Sequence, residues 1–123
     1  MGEDMANRLR RRPNSAVRVY FIRCNEFVKI GRAMDVQQRL TELQVGCPDK
    51  LELLATIEGG PKEERAFHKL FSDIHVRGEW FLLNDRLRHA ITALTARDKA
   101  EKSWDWAIIN RLYGRHSPVR PIA

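Results

Sequence analysis

The sequence predicts a small α/β domain: a three-stranded, mainly antiparallel sheet flanked by helices, with an added C-terminal helix. Three observations predict it. Residues 17–30 hold two short alternating runs split by a tight turn, residues 51–58 alternate again, and apolar side chains elsewhere recur at helical spacing behind recognisable caps.

At 123 residues, 43% hydrophobic and 31% charged, the chain has material for one modest core and not for two. Its net charge of +6 favours a polyanionic partner, nucleic acid first. No apolar run approaches the ~20 residues of a bilayer helix and no signal-peptide core opens the chain, so a cytoplasmic protein is expected. The two cysteines, Cys24 and Cys47, lack metal-ligand spacing and are expected as free thiols.

Residues 1–16 contain Arg8, Arg10, Arg11 and Arg12 ahead of Pro13 and little that can be buried. They are expected to form a flexible basic arm, either adding phosphate contacts or merely keeping the chain soluble. The first strand follows, with Val17, Val19 and Phe21 alternating against Arg18, Tyr20 and Ile22; in the second, Val28 and Ile30 alternate against Phe27 and Lys29. If Cys24 and Asn25 form a two-residue loop, Arg23 pairs with Glu26 and Tyr20 lies opposite Lys29, their Cβ atoms about 5 Å apart. An ammonium there favours the phenolate and prepares the tyrosine to take a proton from water. The same pair also fits an ordinary half-exposed strand face.

Asp35 and Gln38 predict a capped helix with Val36, Leu40 and Leu43 on its buried stripe, closed by Gly46, Cys47 and Pro48. Arg39 flanks that stripe on the side toward Gly31, where its planar fork suits a phosphate oxygen or simply water. Residues 51–58 form the third strand, expected to be central or covered on both sides. After Gly59 and Gly60, Pro61 starts a helix burying Phe67, Leu70, Phe71 and Ile74. Glu63 and Glu64 in its first turn complement the helix dipole. Glu64 and His68 also stand one turn apart on the same side, and a carboxylate at a basic rim is what magnesium requires.

Residues 78–83, Gly-Glu-Trp-Phe-Leu-Leu, are too apolar for solvent, and Trp80 and Phe81 are expected to plug the core rather than stack on bases. Glu79 either pairs with Arg77 or lines the cleft. Asn84 caps a helix carrying Leu87, Ala90, Ile91 and Leu94, whose pattern weakens after Ala96. A last helix from Ser103 to Gly114 has Trp104, Ile108 and Leu112 on one stripe, and it covers the core, pairs two copies of the chain in a homodimer, or offers a nucleic-acid surface. Residues 115–123 contain two prolines and are expected to be disordered.

In order, Arg18-Val19-Tyr20, Lys29-Ile30-Gly31, Arg39, Glu64 with His68, and Gly78-Glu79-Trp80-Phe81 resemble the GIY-YIG nuclease superfamily. The chain is most similar to a small bacterial and phage branch that carries KIG for YIG and a GEWF signature. The resemblance spans residues 17–94, with residues 95–114 as a helical extension. It implies a GIY-YIG-like fold and a metal-dependent endonuclease that hydrolyses phosphodiester bonds in nucleic acid, with DNA the leading substrate and RNA left open.

By position, Tyr20 would be the general base, Lys29 the charge easing its ionisation, Arg39 the holder of the scissile phosphate, and Glu64 the ligand of Mg2+ or Mn2+. His68 would act beside the metal ligand or on the leaving-group side, and Arg18, Arg32, Arg39 and Lys69 are the candidates to contact nucleic acid. Arg18 replaces the usual first-motif glycine and Lys29 the second-motif tyrosine, leaving Tyr20 the lone phenol. Glu63 competes with Glu64 for the metal, with Glu64 preferred for its spacing from Phe67 and His68. A nucleic-acid-binding module without cleavage, and a protein-interaction domain working through the C-terminal helix, are the alternatives.

Overall fold

A computed structural model describes residues 17–100 and 106–114. The predicted arm at 1–16, the tail at 115–123, and Ser103 and Trp104 lie outside them. Strands β1 (Arg18–Cys24) and β2 (Phe27–Ala33) form the hairpin at the centre of the sheet. Its loop is Asn25-Glu26, not Cys24-Asn25, because Asn25 takes the positive φ (56°) at the first loop position and Cys24 pairs with Phe27. Tyr20 therefore faces Gly31, and Lys29 faces Ile22. The expected Tyr20–Lys29 pair is wrong, but the slip is an even number of residues, so both side chains keep the expected face.

The sheet has five antiparallel strands in the order β3-β1-β2-β5-β4, not three. The additional strands are β4 (His75–Arg77) and β5 (Trp80–Leu82), joined through Gly78 at φ +55°. Three residues each are too few to show a period, and this is why they escape a pattern search. Strand β3 (Glu52–Glu58) is an edge strand paired with β1 alone, contrary to its expected central place. A bulge between Phe21 and Ile22 leaves Leu54 outside the register. Strict alternation would put Leu51, Leu53, Ala55 and Ile57 on one face, whereas Leu51 and Leu53 pack on one side and Ala55 and Ile57 on the other.

Helix α1 (Val36–Val45) starts where Asp35 accepts from the Gln38 amide at 3.0 Å, and it lays Val36, Leu40 and Leu43 over Tyr20, Ile22 and Leu51. Helix α2 (Pro61–Leu70) buries Phe67 and Leu70 and gives way to a 3-10 turn, Ser72–Ile74, one turn sooner than the spacing suggests. Helix α3 (Asp85–Lys99) is capped by Asn84 accepting from the Leu87 amide at 2.9 Å, and it continues past Ala96. There Asp98 accepts from Arg18 at 2.9 Å and from the Glu58 amide at 2.8 Å, tying the helix end to two strands.

Helix α4 (Trp106–Tyr113) turns Trp106, Ile109 and Tyr113 onto the core, with Trp106 edge-on to Phe67 at 5.0 Å. The expected stripe through Leu112 is out of phase, for Leu112 is 37% exposed. Helices α2, α3 and α4 thus cover the face bearing Val19, Phe21, Val28, Ile30 and Phe81, while α1 covers part of the other. No helix among the described residues is long and apolar enough to cross a membrane.

Candidate active site

Strand β2 runs farther than its neighbour β5. The ladder between them covers Phe27 to Lys29, after which only the Ile30 amide bonds to the Glu79 carbonyl, at 2.9 Å. The Ile30 carbonyl, left without a strand partner, accepts instead from Nε2 of His68 at 2.7 Å. A carbonyl can only accept, so Nε2 carries a proton and the ring's orientation is fixed. The sheet is notched here, at Gly31.

Gly31 is required by what crosses the notch. A Cβ built on it would lie 2.6 Å from Cζ of Tyr20, closer still to the phenolic oxygen, and 2.9 Å from Oε1 of Glu79. Only glycine allows a phenol and a carboxylate to rest on the strand backbone together. The Tyr20 side chain is 1% exposed. Its oxygen is the first reason the Arg39 guanidinium holds its proton more tightly than usual, through a side-chain hydrogen bond, with Glu42 contributing second. Arg39 also donates to Oε1 of Glu42 at 3.3 Å and remains 43% exposed. The cation facing the phenol is thus Arg39. Lys29 instead lies 3.0 Å from Oε1 of Glu79 and over the Trp80 ring, 5.7 Å from its centroid.

Glu64, near the start of α2, reaches the same notch. Its carboxyl pKa is raised, first by burial, then by the charge of Glu79 and a hydrogen bond shared with it; Arg32 and His68 pull it partway back. The Arg32 guanidinium is 3.3 Å from Oε1 of Glu64, and the Glu64 side chain is 12% exposed. Glu63 points elsewhere, its Oε1 accepting from the Gly60 amide at 2.8 Å and so closing the start of its own helix. Glu64 is therefore the one of the two that faces the notch.

Tyr20, Lys29, Arg32, Arg39, Glu64 and His68 meet in one place, together with Glu79, which the sequence left undecided. Glu79 pairs with Lys29 and not with Arg77. Reading Trp80–Leu82 as a strand returning from Gly78 would have placed it beside Ile30. Two expected nucleic-acid contacts lie apart. Arg18 is committed to Thr56 and Asp98, its Nη2 donating to the Thr56 carbonyl at 3.0 Å and to Asp98 at 2.9 Å. Lys69 borders a cavity of about 340 Å³ with Ala66, Leu70, Trp106, Ala107 and Asn110, on the α4 side.

The donor set suits a hard divalent cation. Two carboxylates stand close enough for Glu79 to help raise the pKa of Glu64, both are oxygen donors, and magnesium binds through one or two carboxylates with water and substrate phosphate. The described residues contain no group of three His, Cys, Asp or Glu side chains able to cage a metal unaided. Cys24 and Cys47 are free thiols with their sulfurs 3.9 Å apart.

A comparison with protein families matches residues 18–101 to the T5orf172 domain, a domain generally considered GIY-YIG-like. No curated protein and no solved structure matches the chain.

Proposed function

The chain belongs to the T5orf172 domain family, and on that premise we propose that it is a GIY-YIG-type, metal-dependent endonuclease hydrolysing phosphodiester bonds in DNA. The observation that carries this reading is the notch at Gly31, where the Tyr20 phenol and the Glu79 carboxylate rest on one glycine, with the Arg39 guanidinium against the first and the Glu64 carboxylate against the second. Structure alone rarely gathers such groups at the cost of burying their charge.

In the proposed reaction the scissile phosphate lies at the mouth of the Gly31 notch, outside Tyr20 and Glu79 and against Arg39, whose fork spans two phosphoryl oxygens and strengthens its hold as charge develops on them. Tyr20 acts as the phenolate, which the nearby guanidinium stabilises. It takes the proton of the attacking water and becomes the phenol as that oxygen bonds to phosphorus and the leaving-group oxygen departs. Tyr20 is 1% exposed, so the attacking water would have to enter beside Arg39, the exposed margin of the notch. Glu64, with Glu79 beside it, would hold Mg2+ or Mn2+; the ion, when bound, supplies Lewis-acid stabilisation of the phosphoryl and leaving-group oxygens. Lys29 pairs with Glu79 and holds it at the notch, and His68 fixes the distance between α2 and β2. Arg32, 3.3 Å from Oε1 of Glu64, would have to give up this contact for Glu64 to hold a cation.

The test is nicking of supercoiled plasmid with magnesium or manganese by the native chain, Glu64→Ala and Tyr20→Phe. Each variant should lose roughly a hundredfold or more in rate. Equal cleavage by all three overturns the proposal. No cleavage by any of them, alongside salt-sensitive binding, leaves a nucleic-acid-binding module in its place.

A further inference from the structure

The register places Cys24, Phe27, Lys29, Arg77, Trp80 and Leu82 on the sheet face that carries Tyr20. Helix α1 covers that face over Tyr20, Ile22 and Leu51. On the β4–β5 side, Cys24, Phe27, Val76, Arg77 and Trp80 line a groove of about 300 Å³. Val76 at its edge is 52% exposed and Leu82 beside it is 39% exposed. Apolar surface of this kind, set in a strongly basic chain, marks a binding surface more often than a packing fault.

Three features say what binds. The walls are aromatic and aliphatic, the charged side chain among them is the cation Arg77, and no acid lines the groove. That is the makeup of a surface taking a flat, apolar ring joined to an anion. The groove is also continuous with the notch: Lys29 sits over the Trp80 ring and pairs with Glu79, and Gly31 is two residues farther along β2, about 7 Å at the usual strand rise. One extended nucleotide spans such a distance. Finally, a base inside a continuous duplex has both faces stacked, so a base can enter this groove only when it is unpaired.

We propose that the groove at Trp80 and Phe27 receives one unpaired base of the strand whose phosphodiester lies over Gly31, so that the substrate is single-stranded, frayed or flapped. The inference rests on the phosphodiester-cleavage reading and specifies its substrate. Stacking at Trp80 sets the position of the phosphate, and Arg77 holds the backbone at the outer end.

Binding and cleavage are measured separately. In the full-length chain carrying Glu64→Gln, binding of a labelled single-stranded oligonucleotide should exceed that of the blunt duplex of the same sequence. Adding Trp80→Leu should weaken single-strand binding by roughly ten- to a hundredfold, with Trp80→Phe keeping most of it and duplex binding unmoved. Independently of any change to the protein, an abasic residue at one position of the oligonucleotide should produce a similar loss, and abasic residues elsewhere should not. Equal effects of Trp80→Leu and Trp80→Phe, no position sensitivity, or equal duplex binding would each overturn the groove's assignment, the last two pointing to a protein segment as its occupant. If the native chain nicks plasmid while these binding differences are absent, the groove proposal falls and the nuclease stands. If the native chain, with magnesium or manganese, cleaves neither plasmid nor the single-stranded oligonucleotide while they are present, the nuclease falls and the groove stands.

Discussion

On one face of the sheet Val19, Phe21, Val28, Ile30 and Phe81 meet three helices and are sealed; on the other, more open face, Tyr20 and Ile22 meet α1 alone, with Trp80 half-buried in the same cluster. The same strands build both faces, because successive side chains point opposite ways. The sealed face determines where α2 lies, and the open face supplies what α2 reaches. Glu64 and His68 belong to a helix anchored by Phe67 in the sealed core, yet they act around the edge of β2 on the open side. The candidate site is therefore held by packing it does not touch.

The largest effect should come from breaking the anchor. Phe67 is fully buried and lies edge-on to Phe21 at 5.5 Å and to Trp106 at 5.0 Å. Phe67→Ala should cost about 3–5 kcal/mol in denaturant unfolding. A cost below about 1 kcal/mol would mean that the core does not fix α2.

A smaller effect should follow from filling the notch. Gly31→Ala must push aside the Tyr20 ring and the Glu79 carboxylate, and it should cost about 1–3 kcal/mol as an overpacked site. Plasmid nicking should fall with it, because Tyr20 and Glu79 are the groups displaced. Gly46→Ala is the control: nothing lies within 4 Å of its Cβ and its φ is −94°, so unfolding should move by no more than about 0.5 kcal/mol. Equal costs at the two glycines would remove the argument that Gly31 is there for the close approach.

Long periodic segments were legible. Asp35, Asn84 and Pro61 mark helix starts by local chemistry, and the structure uses each of them there. The faces of β1 and β2 were legible too, since alternation survives an even slip in pairing, whereas the bulge opposite Phe21 and Ile22 splits the predicted face of β3. What alternation cannot supply is the pairing itself: Asn25 at a positive φ decides which two residues form the loop, and that choice set Tyr20 against Gly31 in place of Lys29. Strands β4 and β5 carry too few residues for a period, and with them went the position of Glu79. Tyr20, Arg39 and Glu64 could be singled out because an ordered set of motifs is more specific than any of its members. That Arg39 rather than Lys29 faces the phenol depends on side-chain reach across α1, which no spacing rule contains.

The smallest effect is the most specific to the open face, and it has a sign. Burial and then the neighbouring Glu79 raise the Glu64 carboxyl above its ordinary value, so the folded chain binds that proton more tightly than the unfolded chain does. Stability from this group is greatest at low pH, declines as pH rises from the ordinary glutamate pKa to the raised one, and is flat above it. Glu64→Gln removes the charge and keeps the shape. In metal-free buffer with chelator, its melting temperature should match the native chain's below the ordinary carboxylate range and exceed it at neutral pH. Magnesium in millimolar excess should then raise the native chain's melting temperature and leave that of Glu64→Gln unchanged, because only the native carboxylate gains a ligand on folding. A gap constant across pH would mean that the substitution acts through shape. A glutamine variant less stable at neutral pH would mean that Arg32 more than offsets the burial, making Glu64 a structural ion pair and not a carboxylate kept short of a cation.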